Sequence, residues 1–170
     1  MKRWVCMLAV LPLTLFCLVG CRGSGQNAKP MTEGFTCQAT IRYGELDVTG
    51  QMTCQKDGKI AVSFTLPKSL QGITLGYDGK EMTMSLGEME MTLPAEKVPD
   101  SGLIRCLAQT LTATHPKGEK TDRGIRITGE SGGDAYVLVC DAQTGYPLSL
   151  SVPSQSLEAV FSDCKALTET

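Results

Sequence analysis

Apolar and polar residues alternate along most of this chain, and a period of two belongs to a strand with one face buried. Phe35, Cys37, Ala39, Ile41 and Tyr43 fall on one face, with Thr36, Gln38, Thr40 and Arg42 on the other. After Gly44-Glu45 the alternation resumes as Leu46, Val48, Gly50, Met52 and Cys54. Asp57-Gly58 is a hairpin signal, and Ile60, Val62, Phe64 and Leu66 share one side of the strand that follows, which Pro67 ends. Ile73, Leu75 and Tyr77 make a short strand before a second tight turn at Asp78-Gly79. Met82, Met84 and Leu86 then precede Gly87-Glu88, and Met89, Met91 and Leu93 follow it. A two-residue turn there pairs Leu86 with Met89, Met84 with Met91 and Met82 with Leu93. Every apolar side chain of that hairpin then lands on one face, so the register is self-consistent.

A helical period occurs once. Leu103, Ile104, Leu107 and Leu111 recur at helical spacing, Pro99-Asp100-Ser101 offers an N-cap, and Pro116 stops the run. Residues 115–123 read as a charged loop. Strands return at 124–128, 135–140, 147–152 and 156–164, with turns at Ser131-Gly132-Gly133 and Thr144-Gly145. Nine or so consecutive strands with one helix predict a mainly β fold. Its form is a strongly curved antiparallel sheet with the helix against one face.

The start of the chain breaks this pattern. Lys2 and Arg3 precede an almost wholly apolar run from Trp4 to Phe16, and Leu18-Val19-Gly20-Cys21 closes it. That order is a secretory signal peptide, with a charged start, an apolar centre and a small-residue cleavage site. A membrane span needs about 20 apolar residues, whereas Arg22-Gly23-Ser24-Gly25 follows Cys21 at once. The ending resembles the lipobox of bacterial lipoproteins. The resemblance implies removal of residues 1–20 and acylation of Cys21, for example with palmitate, through its sulfur. The product would be anchored on the extracytoplasmic face of the bacterial cell membrane. Residues 21–33 carry no apolar period and read as a flexible tether, about a dozen residues of coil reaching roughly 20 Å. The remaining span, 34–167, suits one domain.

Charge narrows the partners. Beyond the signal the chain holds 14 basic against 18 acidic residues, net −4, which argues against nucleic acid and against electrostatic docking on anionic lipid. With only four Phe, four Tyr and one Trp, the core must be built from Leu, Ile, Val and Met.

Several stretches in this order resemble small lipoproteins of Gram-positive bacteria that share the fold of the LolA/LolB lipoprotein carriers. They are Phe35-Thr36-Cys37-Gln38-Ala39, Pro67-Lys68-Ser69-Leu70-Gln71-Gly72, Leu93-Pro94, Asp141-Ala142-Gln143-Thr144-Gly145-Tyr146-Pro147 and Val160-Phe161-Ser162-Asp163. The resemblance implies an incomplete β-barrel whose concave apolar face is lidded by helices and accepts acyl chains. The carriers begin with a helix before the first strand. A tether fills that place here, which implies a smaller lid and cavity.

Candidate chemistry is sparse. Met82, Met84, Met89 and Met91 form the most suggestive cluster, since flexible thioethers adapt to irregular apolar ligands. With Ile60, Val62 and Phe64 they are the candidate ligand-facing residues. Filling the core of an aromatic-poor barrel is the simpler role for the methionines, and the favoured one. Cys37, Cys54, Cys106, Cys140 and Cys164 form an odd set with no Cys-x-x-Cys, so zinc and thioredoxin-like chemistry find no support. Buried free thiols are expected. Cys37 and Cys54, opposite or diagonal on adjacent strands, are the one pair worth considering as a disulfide. Gly129-Glu130-Ser131-Gly132-Gly133 has the letters of a nucleophile elbow, but a strand follows it where that motif needs a helix. Ser131 therefore reads as a hairpin turn and His115 as a helix-end residue. Glu88 and Glu90 read as solvated. No paired-carboxylate, metal or phosphate-loop spacing occurs, and no cofactor is implied.

These readings converge on a non-enzymatic, membrane-anchored protein that binds a lipid, a lipidated partner or another hydrophobic ligand on a concave apolar face. The alternative is a protein-partner module. Clostridial spore-germination lipoproteins of the GerS type look like this fold, which implies a regulator of a cell-wall or germination enzyme.

Overall fold

The computed structural model describes residues 34–113 and 118–167. The expected signal segment, Cys21, the tether, His115 and Pro116 lie outside them. Among the described residues eleven strands form one antiparallel sheet: β1 (Phe35–Tyr43), β2 (Leu46–Cys54), β3 (Ile60–Leu66), β4 (Ile73–Tyr77), β5 (Glu81–Leu86), β6 (Met89–Pro94), β7 (Glu119–Thr121), β8 (Gly124–Ser131), β9 (Asp134–Cys140), β10 (Pro147–Val152) and β11 (Leu157–Ala166). One helix, α1 (Leu103–Leu111), separates β6 from β7. The sheet order is β6-β5-β4-β3-β2-β1-β11-β10-β9-β8-β7, so first and last strands meet at the centre and the sheet stays open at β6 and β7.

This order dictates the lid. The chain leaves the sheet at one edge and re-enters at the other, so the connection holding α1 has to cross the whole width. It crosses on the apolar side. Ile104, Cys106, Leu107, Ala108, Thr110 and Leu111 are buried there, against a core drawn from β1–β3 and β8–β11. A nine-residue helix is marginal alone, so packing stabilises it. Its start is fixed by Arg105, whose guanidinium donates to the carbonyls of Ala95 (3.0 Å) and Val98 (2.7 Å) and pairs with Asp100 at 2.7 Å. The Tyr43 hydroxyl donates to the Ser101 carbonyl. Asp100 and Ser101 are engaged in this way, and the N-cap is Gly102 with no side-chain cap, not the expected Asp100-Ser101.

Curvature comes from irregular pairing. Register shifts interrupt β1–β11 at Thr36/Gln38, β2–β3 at Thr49/Gly50 and β9–β10 at Pro147/Ser149. An extra residue in one strand bends it and increases the local twist. At Gly50 the neighbouring backbone comes so close that a Cβ would lie 2.5 Å from the Ser63 carbonyl oxygen, which only glycine allows.

The alternation reads correctly onto the sheet. Phe35, Cys37, Ala39 and Ile41 are buried while Gln38, Thr40 and Arg42 are exposed. The β5–β6 hairpin has the expected register, Leu86 with Met89, Met84 with Met91 and Met82 with Leu93. One element departs from expectation: within the segment read as a charged loop, Glu119–Thr121 forms edge strand β7, paired with Gly124–Arg126. Three polar residues carry no apolar period, and short charged strands are typical of protected edges.

Substituting Leu107→Ala removes a fully buried side chain beneath α1 and should destabilise the protein by about 2–5 kcal/mol. Met89→Ala, on the exposed hairpin, should change stability by less than about 0.5 kcal/mol. Urea denaturation of both variants checks this. Similar losses for the two would contradict the placement of the lid.

Candidate hydrophobic binding surface

Cross-strand pairing carries one apolar face outward from the core towards edge strand β6. Ile60 pairs with Tyr77 and Val62 with Leu75, and next Tyr77 pairs with Met82, Leu75 with Met84 and Ile73 with Leu86. Opposite residues in an antiparallel pair share a face, so the row continues to Met89, Met91 and Leu93. The lid covers only part of it. α1 packs on β3 and β4, and Ile60, Val62 and Phe64 are buried in the core. Ile73, Leu75, Tyr77 and Met82 are half-buried against that core. Beyond them cover ends: exposure is 36% at Met84, 43% at Leu86, 69% at Met89 and 45% at Met91.

The candidate ligand-facing residues therefore separate into two sets. Ile60, Val62 and Phe64 are occupied by the protein's own packing. Met84, Met89 and Met91 face solvent, contrary to the favoured expectation that the methionines fill the core; only Met82 packs against it. The reason is the reach of the connection, since α1 lies over β3 and β4 and leaves β5–β6 outside its cover. Leu86 belongs to the same open strip as these three methionines. Their alternation marked the face, but nothing in the sequence marks where the lid stops. Glu88 and Glu90 lie exposed beside it. Two clefts of about 260 and 330 Å³ are lined mostly by polar residues, including Thr53, Lys59 and Asp78 in one and Gln38, Gln51 and Asp163 in the other, and neither opens on the strip.

Cys37, Cys54, Cys106 and Cys140 are buried and Cys164 half-buried, all as free thiols. Cys54 pairs with Phe35, and Cys37 with Met52, so Cys37 and Cys54 are diagonal. Diagonal neighbours stand about 7–8 Å apart, whereas a disulfide needs Cβ atoms about 3.5–4.5 Å apart, so this pair is poorly placed for a bridge. Among the described residues no group of three His, Cys, Asp or Glu side chains is arranged to hold a metal ion. Ser131 ends β8, and its hydroxyl donates to the Gln109 carbonyl at 3.4 Å. Gly132 and Gly133, at φ 63° and 88°, then turn the chain into β9, so the segment is a β-hairpin, with no helix after the serine.

No family model matches the chain, and no curated protein is detectably similar to it. Among solved structures it is similar to an uncharacterised conserved protein from Thermus thermophilus. The two are 16% identical over 84% of this chain and 83% of that one, with a TM-score of 0.54. It is also similar to a LolA superfamily protein from Nitrosomonas europaea, 11% identical over 82% of this chain and 88% of that one, with a TM-score of 0.44. At these identities the likeness concerns the fold alone. The class is a mainly β fold with an open, curved antiparallel sheet and one helix across its apolar face.

Burial raises the Cys54 and Cys106 thiols to about 11 and Cys140 to about 12, with nearby Asp57, Asp134 and Asp141 adding to it. A thiol whose folded value is raised contributes stability that is complete below its unfolded value. That stability is lost as pH rises through the folded value. The denaturation midpoint should thus be insensitive to these thiols below about pH 8 and fall from about pH 9 upwards, the ordinary thiol range. Cys106→Ala should flatten the fall. Equal slopes for variant and wild type would contradict the assignment.

Proposed function

We propose that this protein is a membrane-anchored, non-enzymatic binding protein. It is held on the extracytoplasmic face through acylated Cys21 and takes a hydrophobic ligand of the acyl-chain class on the open strip of β5–β6. One observation carries the reading: a continuous apolar sheet face runs out from beneath its own lid and ends in exposed Met84, Leu86, Met89 and Met91. Soluble proteins rarely leave such residues contiguous without a partner, and thioether side chains adapt to irregular apolar surfaces.

Magnitude supports pairing the strip with the anchor. Full burial of a Leu or Met contributes about 1.5–3 kcal/mol, and these four side chains are already partly covered. The strip alone therefore supplies on the order of 4 kcal/mol before the cost of association, a site no tighter than roughly millimolar. A tether reaching about 20 Å keeps that weak site at the high local concentration of a lipid surface, where it needs no tighter grip.

A second reading has its own support. β6 is an edge strand, and an edge bordered by apolar side chains can add an extended segment of a protein partner.

The test uses the full chain extracted from membranes and reconstituted in vesicles doped with photo-activatable palmitate. Intact mass should show an acylated chain beginning at Cys21. Crosslinks should map to residues 73–94 and drop at least fivefold in M84S/M89S/M91S. An unmodified mass, or equal labelling of the variant, would overturn the reading. A single protein held stoichiometrically at β6 in cells, without acyl crosslinks, would transfer the assignment to the partner module.

A further inference from the structure

The bulge between the first and last strands brings a second cysteine to Cys37. Thr36 pairs with Lys165 and Gln38 with Ser162, so the single residue Cys37 faces two residues of β11, Asp163 and Cys164. Without the extra residue, strict alternation after buried Ala159 and Phe161 would turn Asp163 inward and Cys164 out to solvent. Instead Asp163 takes up the irregularity, at φ 53° and exposed. A non-glycine residue there is uncommon and strained. The shift returns Cys164 to the face that carries Cys37 and Phe35. Burial, with Cys164 beside it, pushes the Cys37 thiol up, and Cys164 donates a hydrogen bond to the Pro147 carbonyl at 3.6 Å.

We propose that Cys37 and Cys164 form a redox-active pair, closing a disulfide that staples the two central strands of the sheet. The bulge sets Cys164 across from Cys37 on the adjoining strand, a short approach from bridge geometry; Cys54, diagonal to Cys37, is farther. Cys164 is the half-buried member and so the entry point for oxidant. Its thiolate attacks a sulfur of a disulfide-bearing oxidant such as oxidised glutathione, whose S–S bond breaks to release one glutathione thiolate. Cys37 then gives up its proton and attacks the Cys164 sulfur, breaking the mixed disulfide and releasing the second glutathione thiolate. Two protein thiols are oxidised to one disulfide, one oxidant disulfide is reduced to two thiols, and the two protein protons pass to the released thiolates. The ring closed spans nearly the whole described domain, where cross-linking restricts the unfolded chain most.

The test is independent of anchoring and of the ligand. Purified full chain is reduced, exposed to oxidised glutathione, alkylated under denaturing conditions and mapped by peptide mass. The expected product links the peptides of Cys37 and Cys164, leaves Cys106 and Cys140 alkylated, survives in Cys54→Ser and is absent from Cys164→Ser. The bridged form should melt about 10 °C above the reduced form, and this difference should vanish in Cys164→Ser. Full alkylation of all five body cysteines after oxidation, or a Cys37–Cys54 link, would overturn the proposal.

Discussion

The connection between β6 and β7 is the constraint on which the rest of the molecule depends. Because β1 and β11 pair at the centre, the two halves of the chain fan outward and deposit β6 and β7 at opposite edges. Whatever joins those edges must span the sheet. An apolar face of this width, exposed to water, would leave much of the core unburied, and a helix with one apolar stripe laid across it is the short solution. Ile104, Leu107 and Leu111 serve that purpose, and Arg105 and Tyr43 fix the approach of the chain into the helix.

A lid of nine residues is narrower than the sheet that it crosses. The helix spends its apolar stripe on β3, β4 and the core around them, and the β5–β6 hairpin extends past its reach. The exposure of Met84, Met89 and Met91 follows from geometry, since their register puts them on the apolar face and the lid ends before reaching them. As the proposed binding surface, the same open strip is apolar in kind and weak in magnitude. That weakness is why the proposed function couples the strip to a lipid anchor. In contrast to an enclosed carrier pocket, such a surface buries one side of its ligand and leaves the other to the membrane or to a partner.

Much of this fold is legible in the chain. Strict alternation assigns the faces of β1 and β2, and Gly87-Glu88 alone sets the register of β5–β6. The GES-Gly-Gly segment reads correctly as a turn because the strand that follows it is written in Ala135-Tyr136-Val137-Leu138-Val139. Besides the point where the lid stops, three features were not legible, each for a physical reason. β7 has no apolar residue to reveal it. The N-cap at Gly102 depends on Tyr43 and Arg105, which compete for the Asp100-Ser101 backbone and side chain from elsewhere in the fold. The Cys37–Cys164 neighbourhood depends on a bulge, and a one-residue irregularity in β11 is invisible to a period-two reading yet reverses which side chains meet.

Native-state hydrogen exchange on the full chain, resolved by peptide, tests most directly the claim that the crossing lid protects the sheet centre and leaves the β6 arm open. Local opening is easiest where few apolar contacts hold the backbone. Slowest exchange is expected in β1, β2, β11 and α1, and exchange in β5–β6 faster by at least tenfold. Protection of β5–β6 as strong as that of β1 and β11 would contradict it, because the strip would then be covered.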